Sequence, residues 1–257
     1  MAEEAYKSWC KGGWYKGSCE GNAESGVNEV IKILVFDLTP AAVSVGKYIE
    51  KELPVQVEKV VDNGCNSREE IAERISAYVG KMDVIVISNP LLLAKYGSYL
   101  KRRFPAQKFI FFGADLPSVI AEHQKVLILT PKRLRTTEYY QMMKAECQEQ
   151  DIRELDCEKW IAMKDSCYLE WCDKVKQELT SVIGARLIVN SAELVAVYDQ
   201  LAEIIDWRVN LVDLRRGIVT TIKEYFASEK KRGNVCFQRE KSTCGRVTYE
   251  RKMKRLT

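Results

Sequence analysis

Short runs of β-branched and aliphatic residues recur along this chain: Ile31 to Phe36, Val55 to Val61, Asp83 to Ile87, Lys108 to Phe112, Val126 to Leu129, Arg186 to Val189 and Val209 to Val212. Runs this short and this continuously apolar read as strands buried on both faces. Between them lie stretches with apolar positions three and four apart, among them Ser67 to Val79, Thr136 to Gln148 and Ser191 to Ile205, the spacing of amphipathic helices. Strand and helix in alternation call for parallel sheets covered on both faces with right-handed crossovers. The expected fold class is therefore α/β, and Asp151 to Asp156 reads as a further strand.

At 257 residues the chain accommodates one large domain or two small lobes, and its 46% hydrophobic and 30% charged content excludes a collagen-like or wholly disordered protein. No run approaches the roughly 18 to 20 apolar residues that span a bilayer, and the first residues lack the apolar stretch of a secretory signal, so a cytoplasmic location is expected. Nine cysteines, an odd number spread over the chain, argue for reduced thiols. Cys10 and Cys19 in the N-terminal extension, and Cys167 and Cys172 on one predicted helix, lack the paired spacing of a structural zinc site, and no metal is expected. The single histidine, His123, falls at the end of the predicted helix Leu116 to Glu122, where a cation complements the helix C-terminus. No glycine-rich dinucleotide or phosphate loop and no serine nucleophile elbow is visible, and no cofactor is expected.

Charge is unevenly distributed. The whole chain carries a formal +4, whereas Ser228 to Thr257 holds ten Lys/Arg against three Asp/Glu, leaving residues 1–227 slightly acidic. The basic C-terminal tail, 228–257, reads as a solvated segment or as one that meets nucleic acid or an acidic protein electrostatically, with Phe237 and Tyr249 available to stack. Residues 1–29, with Trp9 and Trp14, carry no sustained pattern and read as an extension.

In open α/β sheets ligands bind beyond the carboxyl ends of the strands. The residues there are Asp37-Leu38-Thr39, Ser88-Asn89-Pro90, Thr130-Pro131, Asn190-Ser191-Ala192 and Asp213-Leu214-Arg215. Small polar groups at such junctions either cap the following helix, each stabilising by about 1 kcal/mol, or line a cleft.

The sequence Ile33-Leu34-Val35-Phe36-Asp37, then Glu52-Leu53-Pro54, Ser67-Arg68-Glu69-Glu70-Ile71, Asp83 to Asn89, Thr130-Pro131 through Arg135-Thr136 with Tyr139 or Tyr140, Asp156-Cys157 and Leu187-Ile188-Val189-Asn190 resembles glutamate racemase and the wider aspartate/glutamate racemase superfamily. The resemblance covers about residues 31–227. It implies two pseudo-symmetric parallel-sheet lobes with a cleft between them: lobe 1 at 31–117 plus 207–227, lobe 2 at 118–206.

Racemising an amino acid without a cofactor requires two acid/base groups on opposite sides of the α-carbon. The family supplies a cysteine from each lobe, in Cys-Asn-Thr and Gly-Cys-Thr-His motifs. Here the corresponding positions are Ser88, in Ser88-Asn89-Pro90, and Asn190, in Val189-Asn190-Ser191-Ala192. Serine is a far weaker acid than cysteine, and a carboxamide does not titrate usefully. The family's Asp-Ser-Gly is Asp37-Leu38-Thr39, its Pro-Tyr-Gly loop has no counterpart near Asp62-Asn63-Gly64, Arg133 replaces a threonine, and Ala192 replaces the histidine after the second cysteine. The expectation is a racemase-like protein without catalytic residues. Asp37, Thr39, Ser88, Asn89, Thr130, Arg133, Thr136, Asn190 and Ser191 would form a vestigial cleft for a small anionic ligand, or the protein would act through a protein partner or a second copy. The alternative is an active amino-acid racemase on glutamate, aspartate or a related acid, with Cys65 or Cys157 as displaced bases; Cys157 also has a purely structural reading, since the family often has cysteine there.

Overall fold

The computed structural model of the protein describes residues 30–231 apart from residue 66 and residues 180–183. Its first sheet holds β1 (Lys32–Asp37), β2 (Gln56–Val61), β3 (Val84–Ile87) and β4 (Lys108–Phe111); its second holds β5 (Lys125–Thr130), β6 (Asp151–Asp156), β7 (Arg186–Val189) and β8 (Asn210–Val212). Both are wholly parallel, in the orders β2-β1-β3-β4 and β6-β5-β7-β8, so the second repeats the topology of the first. The α/β class agrees with the periodicity of the sequence, and the two parallel sheets agree with the pair of lobes that the resemblance implies.

The inner strands β1, β3, β5 and β7 are apolar on both faces because both faces are covered, whereas the edge strands β2 and β6 carry charged residues and are only partly buried. Leu34, Phe36, Ile85, Ile87, Phe109 and Phe111 point to one side of the first sheet, where they pack with α2 (Arg68–Ser76) and α3 (Pro90–Arg103). Their neighbours Ile33, Val35, Val84, Val86 and Ile110 point to the other, toward α1 (Ala41–Glu52), and join the core that continues into the second lobe. The chain passes between lobes through α4 (Leu116–Ala121), which spans the expected boundary at 117/118.

Local chemistry sets several helix boundaries inside the expected ones. Ser67 Oγ accepts from Glu70 N at 3.2 Å while Glu70 Oε2 accepts from Ser67 N at 3.0 Å, a reciprocal cap that starts α2. The stretch expected to be helical from Thr136 divides into a short turn, α5 (Lys132–Arg135), and α6 (Glu138–Glu146), which Thr137 caps by accepting from Tyr140 N. Two helices, α7 (Glu158–Ser166) and α8 (Tyr168–Leu179), flank Cys167, whose extended backbone separates it from Cys172; the two cysteines do not share a helix as expected. The stretch Ser191 to Ile205 likewise forms α9 (Ala192–Val195) and α10 (Tyr198–Ile204).

One expected assignment is split. Residues 207–227 do not all return to the first lobe: β8 pairs in parallel with β7, extending the second sheet, and α11 (Arg215–Lys231) then packs on α1 and β4. The crossing falls at Asp213-Leu214, because Leu211 and Val212 complete the second sheet's edge whereas Ile218, Val219, Ile222 and Phe226 on α11 join the core beside α1. Ser228 to Lys231 continue α11; the remainder of the expected basic tail and the whole expected N-terminal extension lie outside the described residues. No helix among the described residues is long and apolar enough to cross a membrane.

Candidate functional site

Each sheet reverses its order of strand addition once, between β1 and β3 in the first and between β5 and β7 in the second. Such switch points are where the loops leaving adjacent strands diverge and open a crevice. The registers Phe36 to Ile87 and Leu129 to Val189 place Asp37 beside Ser88 and Thr130 beside Asn190 at equivalent points of the two sheets. Ser88 N donates to Phe36 O at 3.2 Å and Asn190 N to Leu129 O at 2.8 Å, so both ladders run to these residues.

At the first switch point the polar groups satisfy one another. Asp37 Oδ2 accepts from Ser88 Oγ at 2.7 Å; Asp37 Oδ1 accepts from Thr39 N at 2.8 Å, Thr39 Oγ1 at 3.0 Å and Asn89 Nδ2 at 3.0 Å. Asn89 Oδ1 also accepts from Leu91 N at 3.0 Å and caps α3. Burial pushes the Asp37 carboxyl up to about 6, against the opposing pull of these donors. Cap and cleft readings thus merge here: the residues that terminate the strands also hold one buried carboxylate.

The second switch point is built differently. Thr130 Oγ1 and Asn190 Oδ1 are buried with no hydrogen-bond partner among the described residues. Ser191 Oγ donates to Glu193 Oε2 at 2.9 Å, and Glu193 Oε1 pairs with Arg133 Nη2. Cys157 lies against Ser191, and burial drives its thiol up to about 12. Cys65 is also buried, and desolvation, followed by the charge of Asp62, raises its thiol. Neither thiol is poised to ionise near neutrality.

The carboxyl ends of the two sheets meet. Helix α1, leaving β1, packs on α9, leaving β7, and Asn190 Oδ1 would lie 3.2 Å from a Cβ placed on Gly113, just beyond β4. Arg215 ties the seam. Its guanidinium donates to Ser44 Oγ on α1 at 3.1 Å, pairs with Asp213 at 2.9 Å and Asp199 at 3.0 Å, and lies 4.6 Å and 4.2 Å from the ring centroids of Tyr48 and Tyr198. The sequence marks Arg215 as a strand-end residue, but its partners on α1 lie too far away in sequence to be read from any local pattern.

The expected cleft residues divide by accessibility. Asp37, Ser88, Thr130 and Ser191 are 0% exposed, Asn190 is 2%, and Asn89 is also buried. Thr39 is half-buried, whereas Arg133 and Thr136 are exposed; Thr136 Oγ1 donates to Arg133 O at 3.2 Å. His123 stands in the loop before β5, at the amino end of the second sheet, where its N donates to Ile120 O at 3.0 Å. No group of three His, Cys, Asp or Glu among the described residues is arranged to hold a metal ion.

No family model matches the sequence, and no curated protein matches it either. Solved structures do resemble the fold. Glutamate racemase from Francisella tularensis, solved with D-glutamate, is 14% identical with a TM-score of 0.61, over 81% of this chain and 84% of that one. Aspartate racemase from Picrophilus torridus is 12% identical with a TM-score of 0.55, over 81% of this chain and all of that one. Allantoin racemase from Klebsiella pneumoniae is 13% identical with a TM-score of 0.54, over 84% of this chain and 97% of that one. This chain therefore shares its fold with these solved racemases.

Proposed function

We propose that this chain uses a racemase fold for binding and does not exchange protons at an amino-acid α-carbon. The observation that carries this reading is the pair of residues at the two switch points. Ser88 spends its hydroxyl proton on Asp37, and the equivalent position in the second sheet is the carboxamide of Asn190. A two-base exchange needs a titrating group on each side of the substrate, and this pair provides none. The polar groups that a ligand opening the seam would meet are Thr130 Oγ1 and Asn190 Oδ1, which are buried and have no hydrogen-bond partner among the described residues. Arg133 and Arg215 already face carboxylates, which favours an uncharged polar molecule over the anion expected from sequence.

Incubation of the purified protein with L- and D-glutamate and aspartate in heavy water tests this reading. No α-deuterium incorporation is expected beyond that of a Cys65→Ser/Cys157→Ser variant. Incorporation above that control would establish the alternative, an active racemase with displaced bases.

A further inference from the structure

Outside the switch points, three large apolar side chains stand exposed on neighbouring elements of the second lobe, with carboxylates beside them. Trp207 is 90% exposed on the turn between α10 and β8. That turn is held by Asp206, which accepts from Arg208 N and Arg208 Nε at 2.9 Å each and from Arg208 Nη2 at 2.6 Å. A large indole presented on a braced turn sacrifices little conformational freedom on binding, which is the character of an interaction anchor. Leu169, 75% exposed, and Tyr168, 47% exposed, begin α8, which packs on α10. Glu203, four residues before Trp207, lies near enough to Tyr168 to act on its phenol.

Carboxylates frame this patch. Glu170 and Asp173 share the outer face of α8 with Leu169, and Glu203 is exposed on α10; none forms an ion pair among the described residues. An apolar centre with a negative rim selects a partner of the opposite character: apolar anchors set among lysines and arginines. Residues 232–257 of this chain have that composition, with eight Lys/Arg, two Asp/Glu, and Phe237, Tyr249, Met253 and Leu256 interspersed.

Reach does not exclude the match. Helix α11 starts at Arg215, which pairs with Asp199 at 3.0 Å, and extends about 25 Å over its 17 residues. The 26 residues that follow span about 85 Å when extended, more than the separation between the end of α11 and a turn eight residues beyond Asp199. We infer that the Trp207–Leu169–Tyr168 patch, with its rim of Glu170, Asp173 and Glu203, is the docking surface for the chain's own basic segment 232–257.

Zero-length carbodiimide cross-linking of the full chain, with products mapped by mass spectrometry, tests the inference. Monomeric products joining Lys241, Lys252 or Lys254 to Glu170, Asp173 or Glu203 are expected at low salt, falling at least fivefold at 1 M salt, where the Debye length is about 3 Å. The exposed Trp207→Ser change leaves every reactive group in place and should lower the same products at least threefold. Products spread evenly over other carboxylates would overturn the inference. So would patch products formed only between two copies, or yields unchanged in Trp207→Ser. None of these results depends on whether the protein exchanges α-protons.

Discussion

Ser88 Oγ donates a 2.7 Å hydrogen bond to Asp37 Oδ2 across adjacent strands, fully buried, at the first sheet's switch point. The serine therefore serves the carboxylate, and the carboxylate serves the fold: one side chain ties together the ends of β1 and β3 and the start of α3.

That burial has a pH signature. In the unfolded chain Asp37 titrates near 4, whereas in the fold it is raised to about 6. Below about pH 4 both states hold the proton. Between about 4 and 6 the folded state holds it more tightly, so stability falls as pH rises, by about 3 kcal/mol in all, and is then constant. Urea unfolding at pH 4 and 7.5 should show this loss in the native chain relative to Asp37→Asn, which cannot titrate. Identical pH dependence in the two proteins would contradict it.

Arg215 is 4% exposed and joins both lobes through two carboxylates, a serine and two tyrosine rings. Removing it leaves the half-buried Asp213 without its guanidinium, and Arg215→Ala should cost about 2 to 3 kcal/mol in urea unfolding. Arg215→Lys should restore only part of this, because an ammonium lacks the planar fork that pairs and stacks at once. Amide exchange in α1 should rise in both variants, and unchanged exchange there would show that the contact does not couple the lobes.

Thiol chemistry separates the two functional readings independently of substrate. Cys65, Cys147, Cys157 and Cys172 are buried, so at most five of the nine cysteines should react promptly with a disulfide reagent in the native protein. Cys157, raised to about 12, should be among the last to be labelled when modification is mapped by mass spectrometry. Preferential labelling of Cys157 at neutral pH would mark it as an activated nucleophile.

Gly113 and Gly80 have nearly the same backbone, φ +78° and +75°, in different surroundings. A Cβ at Gly80 meets nothing, whereas one at Gly113 approaches Asn190 Oδ1 at 3.2 Å. Gly80→Ala should therefore cost about 1 kcal/mol for the left-handed backbone alone. Gly113→Ala should cost about 2 to 3 kcal/mol as the lobes are pressed apart. Equal losses in thermal or urea unfolding would show that the seam yields freely at this point.

The strands and most helices were legible because local period encodes them: a strand covered on both faces must be apolar throughout, and Ser67 with Glu70 writes a helix start in four residues. The polar character of the strand ends, and the hydroxyl and carboxamide at Ser88 and Asn190, could also be read directly. What each of those residues does could not. Ser88 meets a carboxylate 51 positions away, and Arg215 meets Ser44 across 171.

The sequence by itself determined which segments are strands and helices, and which functional groups stand at their ends, since both follow from residue type and short-range spacing. Only the tertiary structure decided that Asn210–Val212 completes the second sheet, that the serine hydroxyl is committed as a donor to Asp37, and that Arg215 closes the seam. Those outcomes depend on packing between distant segments, where burial and geometry set how each polar group is spent.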